Sequence, residues 1–288
     1  MNSSAQLLLD QGPWLGVALF CVLGLMIGSF LNVVIYRLPV MMHAQWEAEC
    51  AHLHDSPVED PPTFNLWVPR SRCMKCQHTL SWHENIPVLS FLMQAGRCRH
   101  CAEPISKRYP MIEIATAVIF GLCASRWGAG LNALAWSGFA SAVLALALID
   151  WDTTYLPDDI TLPLLWAGLI AAWAGVTPVQ AEDAIAGAAL GYLFLWAIYW
   201  GFKLLTGKEG MGYGDFKLFA ALGAWFGWQA LLPIILMASI IGTLVGLVMK
   251  FNAKLRDGAY IPFGPFLAGA GLTAMWLEPA GLLRLLGL

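Results

Sequence analysis

The sequence predicts an all-α polytopic membrane protein of about eight transmembrane helices, with a small zinc-binding insert on the cytoplasmic side after the first helix. Three observations predict it. Hydrophobic residues make up 58% of the 288 and charged residues 12%, about half the roughly 25% typical of a soluble domain. Long apolar runs recur through the chain, with a mean hydropathy of +0.63, as expected of helices that satisfy their own backbone in lipid. One polar stretch, 37–109, interrupts the runs and holds two Cys-x-x-Cys pairs. The net charge of −3 carries no basic excess for nucleic acid, which is not expected as a partner.

The first run, 13–36, has no Lys or Arg before it and no Ala-x-Ala site behind it. It reads as a retained span rather than a cleaved signal peptide. Within it Gly28, Ser29 and Asn32 read as a packing face. Residues 37–109 form the insert, with eight of the 16 Lys+Arg, seven of the 19 acids and no run long enough to span. From Pro110, suited to a helix's first turn, apolar runs resume at 110–125, 130–149, 160–176, 184–203, 216–228, 230–250 and 262–283. The split around Gly227-Trp-Gln229 is the least marked. The expected organisation is therefore 1–36 first helix, 37–109 insert and 110–288 membrane domain.

Charge orients these spans. If the insert is cytoplasmic, the connections near 150–159, 203–217 and 250–260 share its side and bring Lys203, Lys208, Lys217, Lys250, Lys254 and Arg256. Of the 16 basic residues, 14 then lie on one face, leaving only Arg126 and Arg284 on the other. This is a positive-inside bias. It places the N-terminus on the far side.

Cys73-Met-Lys-Cys76 and Cys98-Arg-His-Cys101 are separated by 21 residues, the spacing of a tetrathiolate zinc site. Lys75, His78, Arg97, Arg99 and His100 would offset the thiolate charge. Two disulfides are disfavoured on a reducing side of the membrane, and a redox role needs no second matched pair. With four protein ligands the metal is structural, holding a roughly 70-residue insert that has little core. Cys21, Cys50 and Cys123 lack such spacing and read as inert, buried thiols.

Two acids stand at the ends of apolar runs. Asp150 follows Ala-Leu-Ala-Leu-Ile149, and Asp215 follows Gly210-Met-Gly-Tyr-Gly214. A lone charge at such a depth costs about 2.5–3.5 kcal/mol. Two facing carboxylates relieve this by sharing one proton: the ionised one activates water and the protonated one polarises a peptide carbonyl. Gly210, Gly212 and Gly214 free the backbone to approach another chain closely. Capping is the competing reading. Asp158 and Asp159, after Pro157, sit where first-turn acids belong, Asp152 suits a solvated loop, and Asp215 would equally cap a helix beginning at Phe216. Spacing alone leaves both readings open.

The motifs narrow the choice. Gly212-Tyr-Gly-Asp215 resembles the Gly-x-Gly-Asp motif of intramembrane aspartic proteases. The wider set comprises Gly28-Ser-Phe-Leu-Asn-Val-Val-Ile-Tyr-Arg-Leu-Pro39, the cysteine pairs, Trp82-x-Glu-Asn-Ile-Pro87, Lys107-Arg-Tyr-Pro-x-x-Glu113, Leu148-Ile-Asp150 with Leu156-Pro-Asp158, Gly207 to Lys217, and Ile261-Pro-Phe-Gly-Pro265. Together these resemble the bacterial type IV prepilin peptidases, in order along nearly the whole chain. The resemblance implies an inner-membrane enzyme, its N-terminus periplasmic, that cleaves leaders from type IV prepilin and type II secretion pseudopilin precursors. The cut follows a glycine on the cytoplasmic face. The new N-terminal residue, usually Phe, is then methylated with S-adenosylmethionine. Carried over by position, Asp150 and Asp215 are the catalytic pair, and Cys73, Cys76, Cys98 and Cys101 hold the zinc.

The methyl-donor site is not legible, because no Gly-x-Gly-x-x-Gly strand-to-helix signature is present. Phe30, Asn32, Arg37, Glu84, Asn85 and Glu113, polar or aromatic residues near the insert, could bind the donor or fasten the insert to the membrane domain, and fastening is the favoured reading. Two rivals remain: a presenilin-like or signal-peptide-peptidase-like enzyme, and a transporter or assembly scaffold using the acids as a proton relay. The tetracysteine insert argues against the first. Acids at the cytoplasmic edge and the lack of internal repeats argue against the second.

Overall fold

The computed structural model describes residues 13–53, 64–251 and 261–285. Lys254 and Arg256 of the charge pattern lie outside the described residues. No strand occurs among these residues, only two isolated β-bridges in the insert. The chain divides into two compact units, Met1–Ser137 and Gly138–Leu288.

In the N-terminal unit, α1 (Pro13–Leu53) packs along α3 (Arg108–Trp127). Small residues set their separation. A Cβ on Gly24 would lie 2.7 Å from the Ala117 Cα, and one on Gly28 2.7 Å from the Glu113 Cα. These two glycines are four apart, so one seam of α1 meets the α3 backbone directly. Asn32 Nδ2 donates to the carbonyls of Gly28 and Tyr109, at 3.2 Å each. The helix outlasts the apolar run: it passes through Pro39 and the polar residues after it to Leu53. Proline deletes one backbone bond without ending the helix, because the helical turns on both sides are retained.

Between α1 and α3 the described insert holds a single 3₁₀ turn, Trp82–Asn85, and the short α2 (Leu89–Met93). The Ser81 N–H donates to Glu84 Oε2 at 2.9 Å. The Val88 N–H donates to Glu113 Oε2 at 2.7 Å. Glu113 on α3 thus fastens the insert to the membrane helices. Of the three cysteines outside the Cys-x-x-Cys motifs, Cys123 is buried as expected, Cys21 is half-buried and Cys50 is exposed. Cys50 misses the expectation because it rides on the polar extension of α1, where the apolar spans no longer cover it.

The C-terminal unit begins within α4 (Leu131–Thr153) and continues with α5 (Asp158–Trp173), α6 (Ala181–Thr206), α7 (Tyr213–Phe226), α8 (Leu231–Phe251) and α9 (Gly264–Leu285). Helix α7 is its centre: every residue from Asp215 to Trp225 except Lys217 is buried. It packs on α5, α6 and α9, each of which offers it a glycine. Gly187 on α6 meets the Gly223 backbone, Gly168 on α5 meets the Trp225 ring, and Gly271 on α9 meets Leu222. The Trp225 Nε1–H donates to the Leu164 carbonyl at 2.9 Å. A Cβ at the helix–helix contacts would push α7 out of its slot.

The split between α7 and α8 is real. Gly227 adopts φ +78°, a conformation open to glycine but costly for other residues, and the 3₁₀ turn Trp228–Ala230 follows. Among the described residues five helices are long and apolar enough to cross a membrane: α1, α3, α4, α6 and the segment Trp228–Phe251 containing α8. The other expected spans are also helical, two of them shorter, with 16 residues in α5 and 14 in α7, and α9 has 22.

Candidate active site and thiolate cluster

Asp150 lies in the last turn of α4 and Asp215 in the first turn of α7. Each is only 4% exposed, and the two carboxylates lie within electrostatic reach of one another. One leucine links their surroundings. The Leu156 side chain fills the space beside Gly214, where a Cβ would come within 2.7 Å, and beside Gly264, where a Cβ would come within 3.2 Å. Gly264 opens α9 with its backbone N–H directed at the Asp150 carboxylate. Oδ2 of Asp150 is buried with no hydrogen-bond partner among the described residues. A buried carboxylate oxygen without a donor is costly in a structural role.

The helix carrying Asp215 starts at Tyr213, three residues before the expected Phe216, because extended Gly212 serves as its N-cap position. Asp215 is therefore inside the first turn, where the helix dipole favours an acid. Of the three loop glycines, Gly214 is needed for the Leu156 contact and Gly210 lies against Phe202. At Gly212 a Cβ would meet nothing nearer than 4.0 Å. The loop is drawn back onto α6, where Lys203 Nζ donates to Glu209 at 2.8 Å and to the Tyr199 hydroxyl at 3.2 Å. The Tyr213 ring packs on Tyr199 and Phe216, centroids 5.2 Å away in each case.

Asp158 opens α5, as its first-turn position implied, but makes no side-chain cap. Its carboxylate instead pairs with Lys217 on α7, both oxygens lying within 2.7 Å of Nζ. This pair and Leu156 tie the loop after Asp150 to the helix bearing Asp215.

In the N-terminal unit the four sulfurs of Cys73, Cys76, Cys98 and Cys101 lie within 4.8 Å of one another. The Cys73–Cys101 and Cys76–Cys98 separations are 3.7 and 3.9 Å. Zn–S bonds of about 2.3 Å in a tetrahedron require edges of about 3.8 Å, so the cluster fits a four-thiolate metal. The two halves are built alike. The Cys73 carbonyl accepts from the Gln77 N–H and the Cys98 carbonyl from the Ala102 N–H, and both Gln77 and Ala102 have positive φ. Backbone N–H groups of Cys76 and Lys75 pull the Cys73 thiol down to about 7, toward the metal-binding thiolate. His78 stacks on His100, and its buried Nε2 lies 3.7 Å from Glu84. Lys75 pairs with Glu103 across the cluster.

Residues 22–127 match the Bacterial Peptidase A24 N-terminal domain, and residues 137–247 match the Type IV leader peptidase family. Several relatives carry the name Prepilin leader peptidase/N-methyltransferase. One from Burkholderia pseudomallei (strain 1026b) is 49% identical over 264 residues, covering 90% of this chain and 85% of its own. One from Aeromonas hydrophila is 49% identical, covering 91% of each chain. One from Pseudomonas aeruginosa is 48% identical, covering 88% of each. The chain belongs to the prepilin leader peptidase/N-methyltransferase family. No solved structure matches it.

As a leader peptidase family member the chain is an enzyme, and its residues sort accordingly. Sequence reasoning missed Leu156, Gly264 and the Lys217–Asp158 pair. The signal for the first two was available: Leu156-Pro-Asp158 and Ile261-Pro-Phe-Gly-Pro265 both belong to the motif set and flank the aspartates in the fold.

Proposed function

We propose that the chain cleaves leaders from type IV prepilin and type II secretion pseudopilin precursors after a glycine, at the cytoplasmic face of the bacterial inner membrane. In this reading 1–36 is the first crossing, from a periplasmic N-terminus, 37–109 the cytoplasmic insert and 110–288 the aspartic peptidase domain. The observation that carries it is the burial of Asp150, in the last turn of α4, and Asp215, in the first turn of α7, within electrostatic reach of one another.

Asp150 and Asp215 share one proton, so one takes a proton from water as the other donates to the scissile carbonyl. Gly264 packs against the Asp150 carboxylate, and the first turn of α7 carries Asp215. Gly210, Gly212 and Gly214 form the loop beside them, and the open backbone at Gly212 suits an extended substrate segment. Cys73, Cys76, Cys98 and Cys101 hold a structural Zn²⁺. S-adenosylmethionine, when bound, supplies the methyl group for the exposed amine, usually that of Phe.

Mass spectrometry of a prepilin incubated with the full chain and S-adenosylmethionine tests this. The expected product has lost its leader and gained one methyl group, and Asp150→Ala and Asp215→Ala leave the precursor intact. Cleavage surviving either change refutes the dyad. An intact precursor in the presence of folded, zinc-loaded protein refutes the peptidase reading.

A further inference from the structure

Two motif stretches that the aspartate chemistry does not use meet at one cavity in the N-terminal unit. The first, Gly28–Pro39, contributes Phe30 and Arg37; the second, Trp82–Pro87, contributes Trp82 and Asn85; the loop between adds Trp67 and Arg70. The cavity measures about 510 Å³, inside the roughly 300–1,000 Å³ range of small-molecule sites. We infer that this cavity binds the methyl donor, S-adenosylmethionine. The inference rests on the methyl-transfer reading above and gives that reading a place.

Three of the donor's groups, the planar base, the sulfonium cation and the amino-acid carboxylate, find partners in the lining. Trp67 lies against Phe30 with centroids 6.0 Å apart and rings 28° from parallel, which leaves its other face open. Trp67 is 76% exposed and Trp82 78%. Open indole faces stack on planar bases and attract cations through the ring quadrupole. Arg70 is exposed and has no ion pair among the described residues. Its planar fork matches a carboxylate.

Arg37 has a different role. It is buried, donating to the Asn65 carbonyl at 2.9 Å and the Pro69 carbonyl at 2.6 Å, with its guanidinium 5.5 Å from the Phe64 ring centroid. It therefore positions the loop that presents Trp67 and Arg70. No carboxylate lines the cavity. The sulfonium of the donor is met there by aromatic faces rather than by an acid.

The test is calorimetric binding of S-adenosylhomocysteine to the purified, zinc-loaded full chain, with zinc content and melting temperature as checks on folding. The parent protein should bind at one site. Trp82→Ala and Arg70→Ala should each raise Kd by about tenfold or more, the loss expected for one stacked base or one paired carboxylate. Trp173→Ala, a tryptophan 80% exposed on α5, should leave Kd unchanged. Binding that both cavity variants retain overturns the site while leaving the methyltransferase reading intact. A parent that binds no S-adenosylhomocysteine overturns both. A cavity that takes only an anionic phospholipid such as phosphatidylglycerol, again through Arg70, also overturns the assignment.

Discussion

Replacing Gly264 by alanine probes the candidate dyad without removing an ionisable group. The added Cβ would lie 2.5 Å from Asp150 Oδ2, 3.1 Å from its Cγ and 3.2 Å from the Leu156 Cδ1. Carbon–oxygen contact normally begins near 3.4 Å, so the carboxylate must retreat by about 1 Å. It has little room to do so, because Ile149 and Leu146 on the same helix are fully buried. A reacting group displaced by about 1 Å costs on the order of 10²-fold in rate. The overpacking itself costs about 1–3 kcal/mol of stability. The expected result is a kcat for leader cleavage lower by about two orders of magnitude with KM little changed, read from product mass against time. Methylation of a pre-cleaved pilin peptide should persist. A variant that cleaves within about threefold of the parent refutes the reasoning, since catalysis would then tolerate a displaced Asp150.

Asp215→Asn keeps the shape of the side chain but not its proton chemistry. It should lower cleavage by about 10³-fold or more, with methylation of a pre-cleaved peptide retained as the internal control. Cys73→Ser should take the bound metal from one ion to none and open the insert to limited proteolysis; full metal content in that variant would refute the four-thiolate site. Lys217→Ala breaks a partly exposed pair and should cost less than about 1 kcal/mol in unfolding measurements, so a larger loss would mean the pair acts as a latch. The Ser81 N–H holds the Glu84 carboxyl below its usual range, so the folded insert takes up this proton less readily than the unfolded one. That stability is complete above the ordinary Glu value of about 4.3 and is lost as pH falls through the lowered folded value. Amide exchange at Ser81 should accelerate across that acid window, and Glu84→Gln should remove the pH step.

Much of the fold is written in local chemistry. Apolar runs mark each helix, and cysteine spacing marks the cluster, because both depend on neighbours close in sequence. The extension of α1 to Leu53 was not legible: helical propensity continues after hydrophobicity stops, and proline inside a helix reads the same as proline ending one. The early start of α7 was hidden for a related reason, since Gly214 looks like a loop residue until Leu156 is seen to require the space beside it. Gly264 could not be picked out from composition. Its importance lies in what faces it, an acid more than a hundred positions earlier in the chain. The Trp67 and Trp82 faces were equally out of reach, because meeting across a cavity leaves no periodic trace.

The shortness of α7 bears on how the enzyme experiences its membrane. Fourteen residues make a rod of about 21 Å, well under the roughly 30 Å of a hydrocarbon core. A lipid-facing helix of that length would force the bilayer to thin or would tilt and slide as acyl chains lengthened. Helix α7 is enclosed by its neighbours instead, so thickness strain falls on the outer helices. The carboxylate at its head is insulated from acyl-chain length, and turnover should vary little between short-chain and long-chain vesicles.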